Sequence, residues 1–582
     1  MKIKNCYRLL FVSFLTGLIF LFNSCSSYVP QNAEVRIHDL SDPDMLNPIN
    51  YSDANAGYIL TNLFPSLLAI DFKTNQLVPV VAVHRPVLEK MESGKLKITY
   101  VIRPEAIWDN GTPVTAKDVE FTIKVIKNPK VKNENNKPYY EFIEEMQIDP
   151  TDPKKFSLIC NTVYILAEAS SGDYGILPEY LYDPKGLMKS FTIAQLNRDK
   201  DKLATDPKII AFAEDFNSEK RMRDTTAIAG CGAYRFKEWK TGERVVLEKK
   251  KNWWGDALRD TNCYFEAFTN KLIFQTINDQ TSAIVSLKAG NLDVMYGIKP
   301  KDYVELPKSQ KVRENFSLYT PSSLQYTYLG INTKLAKFAD KHTRQALAHL
   351  VDVDKMIPAV VYNLATRVVG FVHPSNKLDY NTDLQPYDFN VAKAKHLLDV
   401  AGWKDSNGNG TLDKMIDGEL VEFTIKFSVN AGNDARKQVA LMFQEEARKV
   451  GIAVDVIAQD WSVYLDNLKA HRFEMYYGAW IATPVPNDPK QIYHSESSNG
   501  GSNYTSFGTP ESDALIDSIR IQLDENKRAD LYKKLQTILY VESPYIYLWA
   551  PTEKMAIGKK FTNADPCVMR PGFWPAGFKA AQ

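Results

Sequence analysis

The chain has no excess charge of either sign to speak of: 71 Lys and Arg stand against 70 Asp and Glu in 582 residues. That balance gives no electrostatic footprint for nucleic acid. The usual announcements of catalysis are missing too. There is no His-Glu-x-x-His, no Gly-x-Ser-x-Gly, no phosphate-cradling Gly-x-x-x-x-Gly-Lys and no Rossmann glycine fingerprint. Histidine is scarce, eight in all, and none has zinc-ligand spacing. Glu144, Glu145 and Glu214 are imaginable as glycosidase acids, but neighbouring carboxylates point different ways, and a solvated surface accounts for them. No apolar run beyond residue 22 is long enough to span a bilayer. The body holds only Cys160, Cys231, Cys263 and Cys567, without a CxxC spacing, so disulfide pairing and buried free thiols both stay open.

What is present is an ordinary globular composition, 44% hydrophobic and 24% charged with 28 Gly and 30 Pro. Collagen-like, coiled-coil and mostly disordered chains are excluded. The length exceeds the roughly 250–300 residues at which single cores stop growing, so several domains are expected. Thirty Tyr and nine Trp suit wet ligand clefts, and equally suit cores.

Lys2, Lys4 and Arg8 precede an apolar run from Leu9 to Phe22, followed by Asn23, Ser24 and Cys25. A basic start, a short apolar run and small residues after it describe a cleaved export signal over 1–24. Cleavage before Cys25 removes three basic residues and no acid. Leu21-Phe22-Asn23-Ser24-Cys25 resembles the bacterial lipoprotein processing site, in which the cysteine is lipidated and becomes residue one. An acylated Cys25 would tether the protein to a bacterial membrane face, in the periplasm or at the cell exterior. An ordinary secretory signal with an incidental Cys25 is the alternative.

The remainder reads as mixed α/β. Leu96, Ile98, Tyr100 and Ile102 alternate as in a half-buried strand. Thr115 and Asp118 form a capping box for a helix with Val119, Thr122, Ile123 and Ile126 on one face. Asn390 starts another helix, with Val391, Ala394, Leu398 and Ala401 inward and Gly402 at its end. Phe423 to Val429 alternate, a helix follows with Val439, Met442, Phe443 and Val450 inward, and Ile452, Val454 and Val456 alternate again. That is a βαβ unit, which demands a parallel pair. No repeat or low-complexity linker separates domains, so they are expected to interleave.

One loop is a candidate calcium site. Asp405, Asn407, Asn409, Thr411 and Asp413 place oxygens at alternate positions with Gly410 sixth, like the first half of an EF-hand loop. Ile416 stands where a bidentate Glu belongs, and a metal-free Gly/Asn turn is the alternative. No other cofactor is expected.

From Asp44-Met45-Leu46-Asn47-Pro48 onward the chain resembles the family 5 extracellular solute-binding proteins of ABC importers, the oligopeptide-, dipeptide- and nickel-binding group. The matching blocks come in family order: Leu63-Phe64-Pro65-Ser66-Leu67-Leu68, Tyr100-Val101-Ile102-Arg103 and Trp108 through Val119. Gly230-Cys231-Gly232-Ala233-Tyr234, Asn252-Trp253-Trp254, Arg344-Gln345-Ala346-Leu347, Ala401-Gly402-Trp403 and Ser543-Pro544-Tyr545 follow.

The resemblance implies an α/β, two-lobed periplasmic-binding-protein-like fold with an additional inserted domain (type II, cluster C-like). Lobe I would comprise 25–56, 179–274 and 551–582, the inserted domain II 57–178, and lobe III 275–550. It further implies a monomeric, non-enzymatic receptor that closes on an oligopeptide or peptide-like ligand and hands it to a permease and ATPase complex. By motif position, Ser52, Asp53 and Ala54 match one backbone-binding segment and Ala479, Trp480 and Ile481 the other, with Trp480 a flat wall. Peptide binders commonly carry an aspartate three residues after this tryptophan, to pair with the ligand ammonium; here it is Thr483. Either Asp53 or Asp488 supplies the charge, or the ligand lacks a free amino terminus. A lipid-anchored adhesin or peptide chaperone, a nickel or other small-solute binder, and a cell-wall peptide enzyme are the competing readings.

Overall fold

The computed structural model describes residues 34–133 and 137–581, so the Cys25 expectation lies outside the described residues. A seven-stranded sheet organises the first lobe, in the order Phe316–Tyr319, Met555–Gly558, Val294–Met295, Glu34–Asp39, Lys271–Thr276, Arg244–Lys249, Tyr234–Lys240. Glu34–Asp39 runs parallel to Lys271–Thr276 in register from Glu34↔Lys271 to Asp39↔Thr276. Parallel neighbours need long crossovers, which is why strands far apart in sequence meet here.

The inserted domain is a four-stranded antiparallel sheet ordered Val87–Lys90, Leu96–Val101, Lys155–Cys160, Ile143–Ile148. Leu96, Ile98, Tyr100 and Ile102 all face its core. Helix Ala116–Lys127 begins with the expected capping box, the Thr115 N–H donating to Asp118 at 2.9 Å. Its Phe121 meets Phe212 of helix Pro207–Phe216 edge-on, with centroids 5.9 Å apart. Insert and first lobe share one continuous apolar core.

Two glycines explain why a motif joins these parts. A Cβ on Gly230 would lie 2.2 Å from the Leu63 carbonyl oxygen, and one on Gly232 would lie 2.3 Å from that of Asn62. Only bare backbone fits, and the Gly232 N–H uses the closeness to bond Leu63 at 3.0 Å. Between them the Cys231 carbonyl accepts from both Trp253 and Trp254 indoles, at 2.9 and 2.8 Å. Gly230→Ala or Gly232→Ala should therefore lower stability by about 1–3 kcal/mol through overpacking. The measurement is the urea midpoint, and an unmoved midpoint would contradict this packing.

The second lobe carries a five-stranded sheet ordered Ala453–Gln459, Thr424–Asn430, Met475–Ile481, Gln325–Ile331, Tyr545–Tyr547. Its βαβ unit runs Thr424–Asn430, helix Asp434–Arg448, Ala453–Gln459, with the strands parallel from Thr424↔Ala453 onward. Phe423, Ile425, Phe427, Val429, Val439 and Phe443 are buried, as the alternation requires. The helix Val391–Val400 is capped by Asn390, and Gly402 beyond its end has φ +86°. One face of the sheet packs a largely aliphatic core; the other packs tyrosines that pair hydroxyl to hydroxyl, Tyr326 with Tyr493 at 2.7 Å and Tyr328 with Tyr476 at 3.1 Å. Much of the tyrosine content is thus core.

The expected border between lobe I and lobe III at 274/275 cuts the strand Lys271–Thr276, and Val294–Met295 and Phe316–Tyr319 also belong to the first sheet. The crossover from Lys271–Thr276 to Val294–Met295 must return to the same sheet, which carries the first lobe to Tyr319. From there the described chain crosses twice: outward over 320–324, back over 552–554. The two crossings are tied together, Ser323 N–H to the Pro551 carbonyl at 2.9 Å and Glu553 N–H to that of Pro321 at 2.8 Å. This paired ribbon joins the two lobes and is the hinge about which they would turn. Buried His373 braces it through Ser322 at 3.1 Å, and burial lowers its imidazole to about 4.

Candidate functional site

Three adjoining cavities line the first lobe and its insert. The principal one, about 320 Å³, has walls from Ala54, Tyr58, Tyr296, Phe573 and Trp574. A narrow neck of about 70 Å³ shares Tyr51, Gly57, Thr61 and Tyr264 with it. The neck opens into a chamber of about 260 Å³ against the insert, the two sharing Pro48, Tyr51, Asp173 and Gly175. Aromatic residues supply much of the wall of the principal cavity and of the chamber, though little of the neck's, which gives broad contact without selecting one shape. Beneath the principal cavity, buried Asp39 accepts from the Tyr296 hydroxyl, and burial lifts its carboxyl to about 7.

The Ser52-Asp53-Ala54 segment borders the principal cavity through Ala54. The Asp53 carboxylate caps the helix Ala54–Leu60, accepting from Ala56 N–H at 2.7 Å, and also holds the Asp44 N–H. Ser52 is exposed, and its N–H and hydroxyl both donate to Asp44, at 2.8 and 2.7 Å. Ala479, Trp480 and Ile481 close the strand Met475–Ile481. None of them, nor Thr483, is part of the cavity walls above. Trp480 is half-buried and stacks on Tyr504 at 6.4 Å, with its indole N–H buried and unpartnered.

The strand edge beside Trp480 is open. Gln325↔Ile481 to Ile331↔Met475 pair on one side, and the Ala482 N–H bond to Leu324 fixes which residues point at that partner. By alternation the main-chain groups of Ala479 and Ile481 point the other way. There, Thr424–Asn430 pairs only with Met475 and Tyr476. Two N–H and two C=O groups at the strand's end are left without a ladder.

Neither acid named for the ammonium role is free. Asp53 is committed to the cap. Asp488 pairs with Arg520 at 2.8 Å, and the Arg520 guanidinium lies over the Tyr164 ring of the insert at 5.6 Å. Next to it Ile165 enters the tyrosine-rich core of the second lobe and donates its N–H to the Arg520 carbonyl at 2.9 Å. This clasp puts the loop after Trp480 against the insert. The Thr483 hydroxyl turns inward, toward the Val485 carbonyl and Asn487, both at 3.2 Å.

The calcium expectation is not supported. The Asp405, Asn407 and Asn409 oxygens accept from the loop's own N–H groups at 3.0, 2.9 and 2.8 Å, and buried Asp413 is taken by Ser406. A tight turn satisfies itself this way, leaving no convergent oxygens. Among the described residues no three His, Cys, Asp or Glu gather as a metal site. The four body cysteines are free thiols, three of them buried.

Asp39, Asp173 and the 569–575 segment escaped sequence reasoning. The 569–575 segment meets Tyr58 and Tyr296 in the principal cavity across more than two hundred positions, Asp173 borders the neck and chamber, and only the aromatic richness hinted at them.

A two-crossing ribbon, cavities on one lobe and an open strand edge on the other define a two-lobed binding protein. A family model for bacterial extracellular solute-binding proteins, family 5 Middle, matches residues 76–503, and the chain belongs to that family. The oligopeptide-binding protein AppA of Bacillus subtilis (strain 168) is 26% identical over 535 residues, 90% of this chain and 88% of that protein. The solved AppA structure with a nonapeptide aligns over 95% of this chain and 99% of its own, at TM-score 0.65 and 23% identity. NikA of Brucella suis in complex with Fe(III)-EDTA aligns over 94% and 100%, at TM-score 0.73 and 20% identity.

Proposed function

We propose that this protein is the capture component of an ABC importer for oligopeptides or peptide-like solutes, working as a monomer in the periplasm or at the cell exterior. It is held to a bacterial membrane by lipidated Cys25 and delivers its cargo to a permease and ATPase complex. The open edge at Ala479 and Ile481 carries the peptide reading. A peptide backbone can add to such an edge, which gives affinity independent of side chains, while roomy cavities accept the side chains. Ser52, Asp53 and Ala54 would receive it from the first lobe, Trp480 would flank it, and Thr483 would adjoin it. The likeness to AppA and the hinge support the same reading.

Ile481→Pro is the direct test. Proline removes one N–H from an exposed, unpaired strand end, so folding should be unaffected. Titration calorimetry with a mixture of pentapeptides should show affinity at least tenfold weaker than wild type, at unchanged melting temperature. Equal affinity would remove this edge from the site. Mass spectrometry of the protein drawn from its own membranes should find peptides bound.

A further inference from the structure

The chamber against the insert contains a carboxylate that the hinge and the strand edge do not use. Asp173 follows the helix Ala167–Gly172 and borders both the neck and the chamber. Its side chain is exposed and lines both cavities. The protein crowds it closely enough that desolvation lifts its carboxyl to about 7. One oxygen accepts from the Tyr140 hydroxyl at 3.0 Å. No Lys, Arg or His among the described residues pairs with it.

The surroundings suit a cation. Tyr139, Tyr140 and Tyr174 wall the chamber with Tyr51, and aromatic faces attract an ammonium group. Tyr140 and Tyr174 stand edge to face at 5.5 Å. The Tyr174 hydroxyl is buried without any partner, an acceptor left unused beside an unpaired acid. A carboxylate that lines the chamber without a counter-ion leaves its charge to a cation entering beside the aromatic walls.

We infer that Asp173, with Tyr51, Tyr139, Tyr140 and Tyr174, forms a subsite for a primary ammonium group of the ligand. It rests on the peptide reading above, and it offers the charge that Thr483, Asp53 and Asp488 do not. The ammonium comes from either a peptide amino terminus or a lysine side chain.

Pentapeptides of alanine with one lysine scanned through the five positions are the probe, beside norleucine and N-acetylated counterparts, titrated against wild type and Asp173→Asn. Asparagine keeps the acceptor for Tyr140, so the fold should hold. Removing one particular ammonium should weaken wild-type binding at least tenfold, and less than twofold in Asp173→Asn. Sensitivity to acetylation assigns the amino terminus; sensitivity to norleucine assigns a side chain. The inference fails if wild type binds charged and uncharged peptides alike, or if Asp173→Asn keeps the preference. Should Asp173→Asn not fold, the wild-type comparison alone decides. If no peptide binds, the peptide reading fails, and 1,5-diaminopentane followed by NMR decides the subsite: saturable binding lost in Asp173→Asn upholds it, absence of binding overturns it.

Discussion

Methionine in place of Arg344 should lower the unfolding free energy of the second lobe by about 3–5 kcal/mol. The guanidinium is buried and donates to three carbonyl oxygens, those of Glu542, Phe338 and Ala339, each at 2.7 Å. It also meets the Glu542 carboxylate at 3.1 Å. It thereby ties the start of helix Lys341–His349 to the end of helix Glu525–Glu542. Methionine fills similar space but donates nothing, so carbonyls withdrawn from water lose their partners. Lysine should fall between the two, keeping charge but not the planar fork. Urea unfolding followed by circular dichroism measures this, and a loss under 1 kcal/mol for Arg344→Met would contradict the assignment.

Asp39→Asn should have the opposite sign, with a gain that grows as pH rises from about 4 and is complete above about 7. Burial raises the folded carboxyl to about 7, against about 3.9 in the unfolded chain. Between those values the unfolded state gives up its proton and the folded state keeps it, so stability falls as pH rises, and the loss is complete above 7. Three pK units correspond to about 4 kcal/mol. The asparagine carbonyl can still accept from Tyr296, and it never ionises. The variant-minus-wild-type difference should therefore be several kcal/mol more favourable at pH 8 than at pH 4.5. Equal differences at the two pH values would show that Asp39 does not titrate near neutrality. His373 runs the other way: its depressed pKa means that stability is lost as pH falls from about 6.5 toward 4.

Local chemistry is legible in the sequence alone. The Thr115–Asp118 box, the Asn390 cap, the Gly402 stop and the βαβ unit are each decided by neighbours within a few residues, where period and capping speak directly. The border after residue 274 was not readable, because nothing near it records that Val294 will pair with both Ile37 and Ile557. The site divides along the same line. The strand ending at Ile481 could be aligned by motif, but its open edge follows from where Thr424–Asn430 stops pairing. Asp173 looks in sequence like any acid after a short helix. Only the tyrosines folded around it from residues 51, 139 and 140 distinguish it. The oxygens of the Asp405–Asp413 loop have calcium spacing, yet spacing does not reveal that those of Asp405, Asn407, Asn409 and Asp413 already accept from nearby N–H groups.

The central strand Glu34–Asp39 cannot have its full sheet until Met555–Gly558 arrives to wedge between Val294–Met295 and Phe316–Tyr319. A polypeptide emerging from the ribosome amino end first therefore keeps its opening module incomplete until a strand more than five hundred residues further on has been made. Such a delay leaves Val294–Met295 and Phe316–Tyr319 with open edges where that strand will sit, and open edges are templates for pairing with another chain.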